Sequence, residues 1–227
     1  MRQRWARLLF LHWPVAPEAV GPLIPAGLDV DVHDGQAWIG LVPFVVRGAR
    51  PVFLPPIPGL SSFDEVNVRT YVHRRGRDPG VWFFSLDASS RVAVAAARAL
   101  FKLGYRYAEM RAEVEGERVR FASRRIAPGP LPASCALEYA PRGDVAHAVP
   151  DTLEHFLIER YVLYAAKGGT LFQGRVHHEA YPVQGAAVPS LSQDLVQAAG
   201  LPAPRGEPLA HYASGVDVEV FPLRRLS

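Results

Sequence analysis

One cysteine in 227 residues, Cys135, excludes an internal disulfide framework and fits a reducing compartment. Lysine is almost as scarce: Lys102 and Lys167 are the only two, so nearly all of the 25 basic residues are arginine. Against 22 acidic residues they leave a formal charge of +3, too weak a field for a dedicated nucleic-acid binder, and no nucleic-acid partner is expected. No stretch reaches the roughly 18 apolar residues of a membrane span, so no membrane partner is expected either. The N-terminal MRQRWARLLFLHWPVAP starts like a secretory signal, but His12, Trp13 and Pro14 end the apolar run after about four residues, short of the roughly 7 to 15 required. It reads as a first strand, and the protein as cytoplasmic. Also missing are a G-x-G-x-x-G after a strand, a Walker loop, a G-x-S-x-G elbow, an H-E-x-x-H pair and paired cysteines, which removes the common nucleotide, hydrolase and zinc-protease readings. No cofactor and no metal is expected.

At 49% hydrophobic and 21% charged residues, the chain has enough apolar surface for a sizeable core. Pro17 to Leu23 reads as a short helix, and Leu28 to Val32 and Ala37 to Val46 as strands joined by a tight Asp34-Gly35 turn. Residues 47 to 62, with Pro51, Pro55, Pro56, Pro58 and Gly59, form a loop, either packed or a mobile flap. Phe63 to His73 alternates: Val66, Val68, Thr70 and Val72 on one face, Glu65, Asn67, Arg69, Tyr71 and His73 on the other. Val81 to Leu86 is a strand. A helix then starts at Ser89 or Ser90, carries Val92, Ala96, Ala99, Leu100 and Leu103, and ends at Gly104. Strands follow at 105 to 114 and 117 to 125, then a Pro- and Gly-rich region, 126 to 150, around a short strand near Leu137. A helix from Asp151 to Tyr164, stopped by Gly168-Gly169, a strand from Leu171 to Tyr181, a small helix near Leu191 to Ala199 and a last strand through Val216 to Phe221 complete the chain. The expectation is one domain, residues 1 to 227, of α+β class, with predominantly antiparallel strands in a curved, barrel-like cone around a cavity.

The best polar constellation is the Glu65, Asn67, Arg69, Tyr71 face. Residues two apart on a strand face lie about 7 Å apart and four apart about 13 Å, so Glu65 and Arg69 are spaced to bracket a small ligand; the plainer alternative is a solvated strand face. His177 and His178 are neighbours on a strand and point to opposite sides, which disfavours joint metal ligation. Cys135 reads as a small half-buried residue. Lys102, four residues after Arg98 near a helix end, is either an amine depressed by burial and a nearby cation or an exposed complement to the helix dipole. Arg160 falls on the apolar side of its helix, where a guanidinium needs a carboxylate or several carbonyls.

The segments HWPV (12 to 15), LIPAGLDV (23 to 30), DGQAWIGLVPF (34 to 44), FDEVNVRTYV (63 to 72), GVWFFSLDASS (80 to 90), AARALFKLGYRYAEM (96 to 110), FLIERYVLY (156 to 164) and HYASGVDVEV (211 to 220) together resemble the YqjF-like family, a domain of unknown function (DUF2071), nearly end to end. More distantly the chain resembles acetoacetate decarboxylase, which implies a β-rich cone around an apolar cavity. The short helix followed by LIPAGL resembles that enzyme's VVP-xxL segment, Phe63-Asp64-Glu65 falls where it has a catalytic-site glutamate, and Ala97-Arg98-Ala99-Leu100 resembles its GREL run. The decarboxylase continues with a proline and two lysines, the first forming the Schiff base; here those places hold Gly104, Tyr105 and Arg106. Lys102 comes three residues too early to replace that lysine.

The resemblance and the polar face together imply a cavity that binds a small, largely apolar carbonyl or carboxylate compound, and acts on it as a lyase, isomerase or hydrolase-like enzyme without Schiff-base chemistry. Glu65 is expected as general acid/base, Arg98 or Arg69 as partner of an anion or carbonyl, and Tyr105 as hydrogen-bond donor. Asn67, Arg69, His12 and His211 are the expected substrate contacts. The rival is a non-catalytic small-ligand-binding or regulatory module. A small molecule is the expected partner, with room for a homo-oligomer.

Overall fold

The computed structural model describes residues 1–127 and 133–226, leaving the Pro-rich 128–132 of the expected 126 to 150 loop outside the described residues. The strands are β1 (Arg2–Val15), β2 (Asp29–Val30), β3 (Ala37–Arg50), β4 (Phe63–Arg74), β5 (Arg77–Ala88), β6 (Tyr105–Glu115), β7 (Arg118–Ala127), β8 (Ser134–Ala146), β9 (Val162–Lys167), β10 (Thr170–His177), β11 (Val183–Gln193), β12 (Leu209–Val220) and β13 (Arg224–Arg225). The helices are α1 (Pro17–Val20), α2 (Arg91–Leu100), α3 (Leu153–Ile158) and α4 (Leu195–Ala198). All the strands belong to one sheet, antiparallel except where β5 pairs with β6 and β9.

The pairings of β4 with β5 and of β10 with β12 turn the sheet back on itself, so that β12, β1, β3, β4 and β5 form a wall common to two ring-like halves. One half is completed by β6, β7, β8 and β11, the other by β9 and β10. It is not a strict barrel, because β5–β9 and β10–β12 each join through only two residue pairs. The wall is covered on both sides, which explains the unbroken apolar run of β1. Leu9, Leu11 and Trp13 enter one core with Ile39, Leu41, Val66 and Val68; Leu8 and Phe10 enter the other with Val42, Phe44 and Tyr71.

Several elements differ from expectation. The Asp34-Gly35 turn is present, with both residues at positive φ, but it closes a single bridge, His33–Gln36, while β2 pairs with β4. Ser90 caps α2 by accepting from the Ala93 N–H at 3.2 Å, whereas Ser89 Oγ accepts from Asp64 N–H. That helix ends at Leu100, and the chain turns at Lys102, φ 51°, in the left-handed conformation usual just after a helix, so Gly104 is not its stop. The expected helix from 151 to 164 is only α3, capped by Thr152; Gly168-Gly169 is the hairpin turn between β9 and β10. Period-two burial at Val162 and Tyr164 overrides the helical spacing there. β8 is far longer than the strand expected near Leu137, and β11 occupies a stretch for which the sequence reading has no strand; its Pro189 sits at a register shift, where a missing ladder N–H is tolerated.

Closure of the smaller half depends on Gly80. A Cβ built there lies 2.6 Å from the Val162 backbone carbonyl, across the β5–β9 pairing. Gly80→Ala should therefore lower unfolding stability by about 1–3 kcal/mol in chemical denaturation; an unchanged midpoint would mean that this pairing is not what holds β9 in place.

Candidate functional site

A cavity of about 380 Å³ opens on the side of the wall closed by β9 and β10. Its walls are largely apolar, with Phe10, Phe44, Phe83, Leu163 and Tyr181 around Glu65, Asn67 and Arg69 from β4. The β1 contribution depends on an irregularity. Between Ala6 and Leu11 the pairing with β3 shifts register, and Arg7 adopts φ 54°. An extra residue changes the phase of a strand, so Met1, Gln3 and Trp5 before the shift and Leu8 and Phe10 after it all face the cavity.

Glu65, Asn67 and Arg69 are buried. Tyr105 donates a hydrogen bond to Glu65 Oε2 at 3.1 Å. Desolvation pushes the Glu65 carboxyl up to about 8; the Tyr105 hydrogen bond opposes the rise and the charge of Asp87 adds to it. The carboxyl is therefore mostly protonated at neutral pH. Two residues along, Asn67 Oδ1 is buried without a hydrogen-bond partner.

Arg69 Nη2 donates to the Leu157 carbonyl at 3.0 Å and to Tyr71 Oη at 3.3 Å, and its Nε has no partner. Among the described residues no carboxylate pairs with it, so neutral acceptors and the rings of Phe10 and Tyr71, about 5.5 Å away, are what surround this buried cation. Gly40 makes room for it, since a Cβ there would lie 3.1 Å from Arg69 Cγ. Tyr71 spends its proton on the Leu157 carbonyl at 2.6 Å, so the 2.7 Å contact with His12 Nε2 is donated by the imidazole. His12 is consequently protonated on Nε2, with an unpartnered Nδ1. Burial, then the charges of Arg69 and His211, lower its pKa and keep it neutral.

Of the sequence candidates, the structure brings Glu65, Asn67, Arg69 and Tyr105 together on the cavity. Arg98 is not among them: it is exposed on α2, whose cavity-facing residues are Val92, Ala93, Ala96, Ala97 and Leu100. This apolar stripe of α2 thus forms the cavity rim. His12 stands one layer behind, in contact with Tyr71, and His211 lies beside Glu154 at 3.4 Å, away from the cavity lining. Lys102 does not line the cavity; its Nζ sits 5.4 Å over the Phe172 ring. Arg160 meets both a carboxylate, Asp31 at 2.7 Å, and the Phe156 carbonyl at 2.7 Å. No group of three or more metal-ligating side chains occurs among the described residues, and His177 is exposed while His178 is buried.

Sequence reasoning missed the Asp87–Arg125 pair. Behind the wall, Arg125 forks onto Asp87 through Nε and Nη2, at 3.0 Å each to their nearer oxygens, with both side chains essentially inaccessible. Asp87 is the charge that raises Glu65, and its position in β5 opposite Val66 gives no sign of an arginine 38 residues away.

The family DUF2071, described as an uncharacterized conserved protein, matches residues 2–217. The uncharacterized protein YqjF of Bacillus subtilis (strain 168) is 39% identical over 227 residues, covering 100% of this chain and 93% of that protein. Among solved structures, the enduracididine biosynthesis enzyme MppR complexed with pyruvate is similar with a TM-score of 0.69 and 14% identity, over 100% of this chain and 90% of that one. Acetoacetate decarboxylase from Legionella pneumophila is similar with a TM-score of 0.67 and 8% identity, over 100% and 88%. These two likenesses show the fold: a mostly antiparallel, ring-like sheet of the acetoacetate decarboxylase type. Among the described residues no helix is long and apolar enough to cross a membrane.

The raised Glu65 carboxyl makes stability depend on pH with a definite sign. The folded protein keeps this proton up to about pH 8, while an unfolded glutamate loses it near its ordinary value of 4.5, so Glu65 costs stability progressively as pH rises from about 4.5 to about 8. Glu65→Gln should remove a destabilisation on the order of 4 kcal/mol at pH 9 and leave stability at pH 4 unchanged. Denaturant titrations of both proteins at the two pH values check this; equal gains at pH 4 and pH 9 would refute a protonated Glu65.

Proposed function

The chain belongs to the DUF2071 family of uncharacterized conserved proteins, and from that premise we propose that its cavity binds a small carboxylate with an apolar or carbonyl-bearing remainder and that Glu65 exchanges a proton with it. One observation carries the reading: a buried guanidinium, Arg69, with no carboxylate partner among the described residues, lines an apolar cavity whose lining carboxyl, Glu65, is held mostly protonated. Burying a cation without its counter-ion is costly, and an anionic ligand supplies the missing charge. Arg69 then fixes the carboxylate, and the aromatic walls take the apolar part.

Glu65 is suited to proton transfer because its pKa, about 8, lies near neutral pH. As an acid it polarises a ligand carbonyl, and after donating its proton the Tyr105 hydrogen bond holds the carboxylate. Asn67 Oδ1 is a vacant acceptor for a ligand hydroxyl. Pyruvate in the structurally similar MppR is a 2-oxo acid of this chemical class and supports the choice. His12, Tyr71 and Leu157 act as positioning groups for Arg69. The rival reading, a binding module without chemistry, draws on one observation: no lysine lines the cavity among the described residues.

Calorimetric titration with 2-oxo acids and short-chain carboxylates, against their amides, tests the binding. Carboxylates should bind, their amides should bind at least about tenfold more weakly, and Arg69→Gln should erase the difference; equal binding of acid and amide would overturn the assignment of Arg69. Acetoacetate followed by borohydride should leave the intact mass unchanged, because arginine and tyrosine form no Schiff base. A stoichiometric adduct mapping to Lys102 would contradict the lysine-free chemistry.

A further inference from the structure

Two segments that are distant in sequence meet at the mouth of the cavity, and both leave large apolar side chains exposed. In the proline-rich loop after β3, Phe53 is 95% exposed, and Leu54 and Ile57 are more than half exposed. On α2, Val92 and Leu100 are 57% and 67% exposed. Ile57, Leu60, Val92 and Leu100 belong to the cavity lining as well as to the surface.

The charges on the same segments have one sign. Residues 47 to 62 carry Arg47 and Arg50, and residues 89 to 107 carry Arg91, Arg98, Lys102 and Arg106, with no aspartate or glutamate in either stretch. Arg106 has a buried Nη1 and interacts electrostatically with Asp87 and Arg125, and Arg47 with Asp64, so these two are not rim charges; Arg50, Arg91, Arg98 and Lys102 form no ion pair among the described residues. On β6 and β7, by contrast, Arg111, Arg118, Arg120 and Arg124 all meet glutamates.

We propose that this rim docks the protein on an anionic lipid surface, with Phe53 and Leu54 entering the headgroup boundary and the arginines facing the phosphates. Exposed apolar side chains flanked by cations are what interfacial anchoring needs. Pro51, Pro55, Pro56 and Pro58 stiffen the loop, so insertion orders few new torsions. A second copy is the less fitting occupant, because two-fold self-pairing sets this cationic rim against itself. The expectation of no membrane partner concerned spans of about 18 residues and does not see a patch assembled from two segments. Docking also lets an apolar carboxylate pass from lipid to cavity without crossing water; that extension rests on the function proposed above, while docking does not.

The test is sedimentation of the full chain with vesicles of phosphatidylglycerol and phosphatidylcholine in equal parts, and with phosphatidylcholine alone. The protein should pellet with the first, bind the second at least about tenfold more weakly, and be released from the first by 1 M NaCl, where the Debye length is about 3 Å. Phe53→Ser, at a position outside the cavity lining, should weaken binding roughly tenfold without changing calorimetric binding of carboxylates. Charge reversal by Arg91→Glu with Arg98→Glu should weaken it with Phe53 intact. No pelleting with anionic vesicles, equal pelleting with both compositions, or a concentration-dependent dimer that Phe53→Ser dissolves would each overturn the proposal. Carboxylate binding in the cavity is read separately, so failure of one proposal leaves the other standing.

Discussion

The wall of β12, β1, β3, β4 and β5 is the constraint on which the rest of the molecule depends. The central stretches of its strands are covered on both faces, so a side chain there is either apolar or must find a partner inside the protein. β1 and β3 satisfy this with apolar residues on both sides: Leu8 and Phe10 against Leu9 and Leu11, Val42 and Phe44 against Ile39 and Leu41. β4 does so on one side only, with Val66 and Val68, while its other side carries Glu65, Asn67 and Arg69 into the cavity.

Burying charge on both sides of one wall couples the two halves electrically. Asp87 and Arg125 form a closed pair on one side, and the residual field of Asp87 reaches Glu65 on the other. The pair is bidentate and fully desolvated; removing one partner would leave an uncompensated ion costing about 3–5 kcal/mol. Glu65 takes the opposite route, staying protonated by burial, whereas Arg69 cannot give up its charge and leans on a carbonyl, a tyrosine and two rings. That asymmetry leaves the cavity with a cationic group and an acid that holds its proton, the combination on which the proposed carboxylate binding rests.

The mouth follows a different rule. α2 and the loop after β3 are amphipathic by sequence but meet no second layer, so their apolar residues border the cavity and the surface together. Helical periodicity alone does not tell a stripe that packs on a core from one that rims an opening, because the 3.6-residue repeat is identical in both.

The alternation of residues 63 to 73 already separated the Glu65, Asn67, Arg69 side from the Val66, Val68 side, because strand geometry has period two whatever surrounds it. The family and the fold were likewise legible, from motifs running nearly the whole chain. Tertiary structure decided which face of β4 looks inward. It turned 162 to 167 into the first strand of a hairpin where apolar spacing suggested the end of a helix, since pairing with β5 outweighs a local preference. The irregularity at Arg7, which aims two phases of β1 at one cavity, depends on pairing with β3 and leaves no trace in composition or period. Arg98 shows the limit most plainly: a motif put it beside the candidate glutamate, and the turn of α2 points it into solvent. Local spacing is a property of the chain, but direction relative to a cavity exists only once distant strands have closed around it.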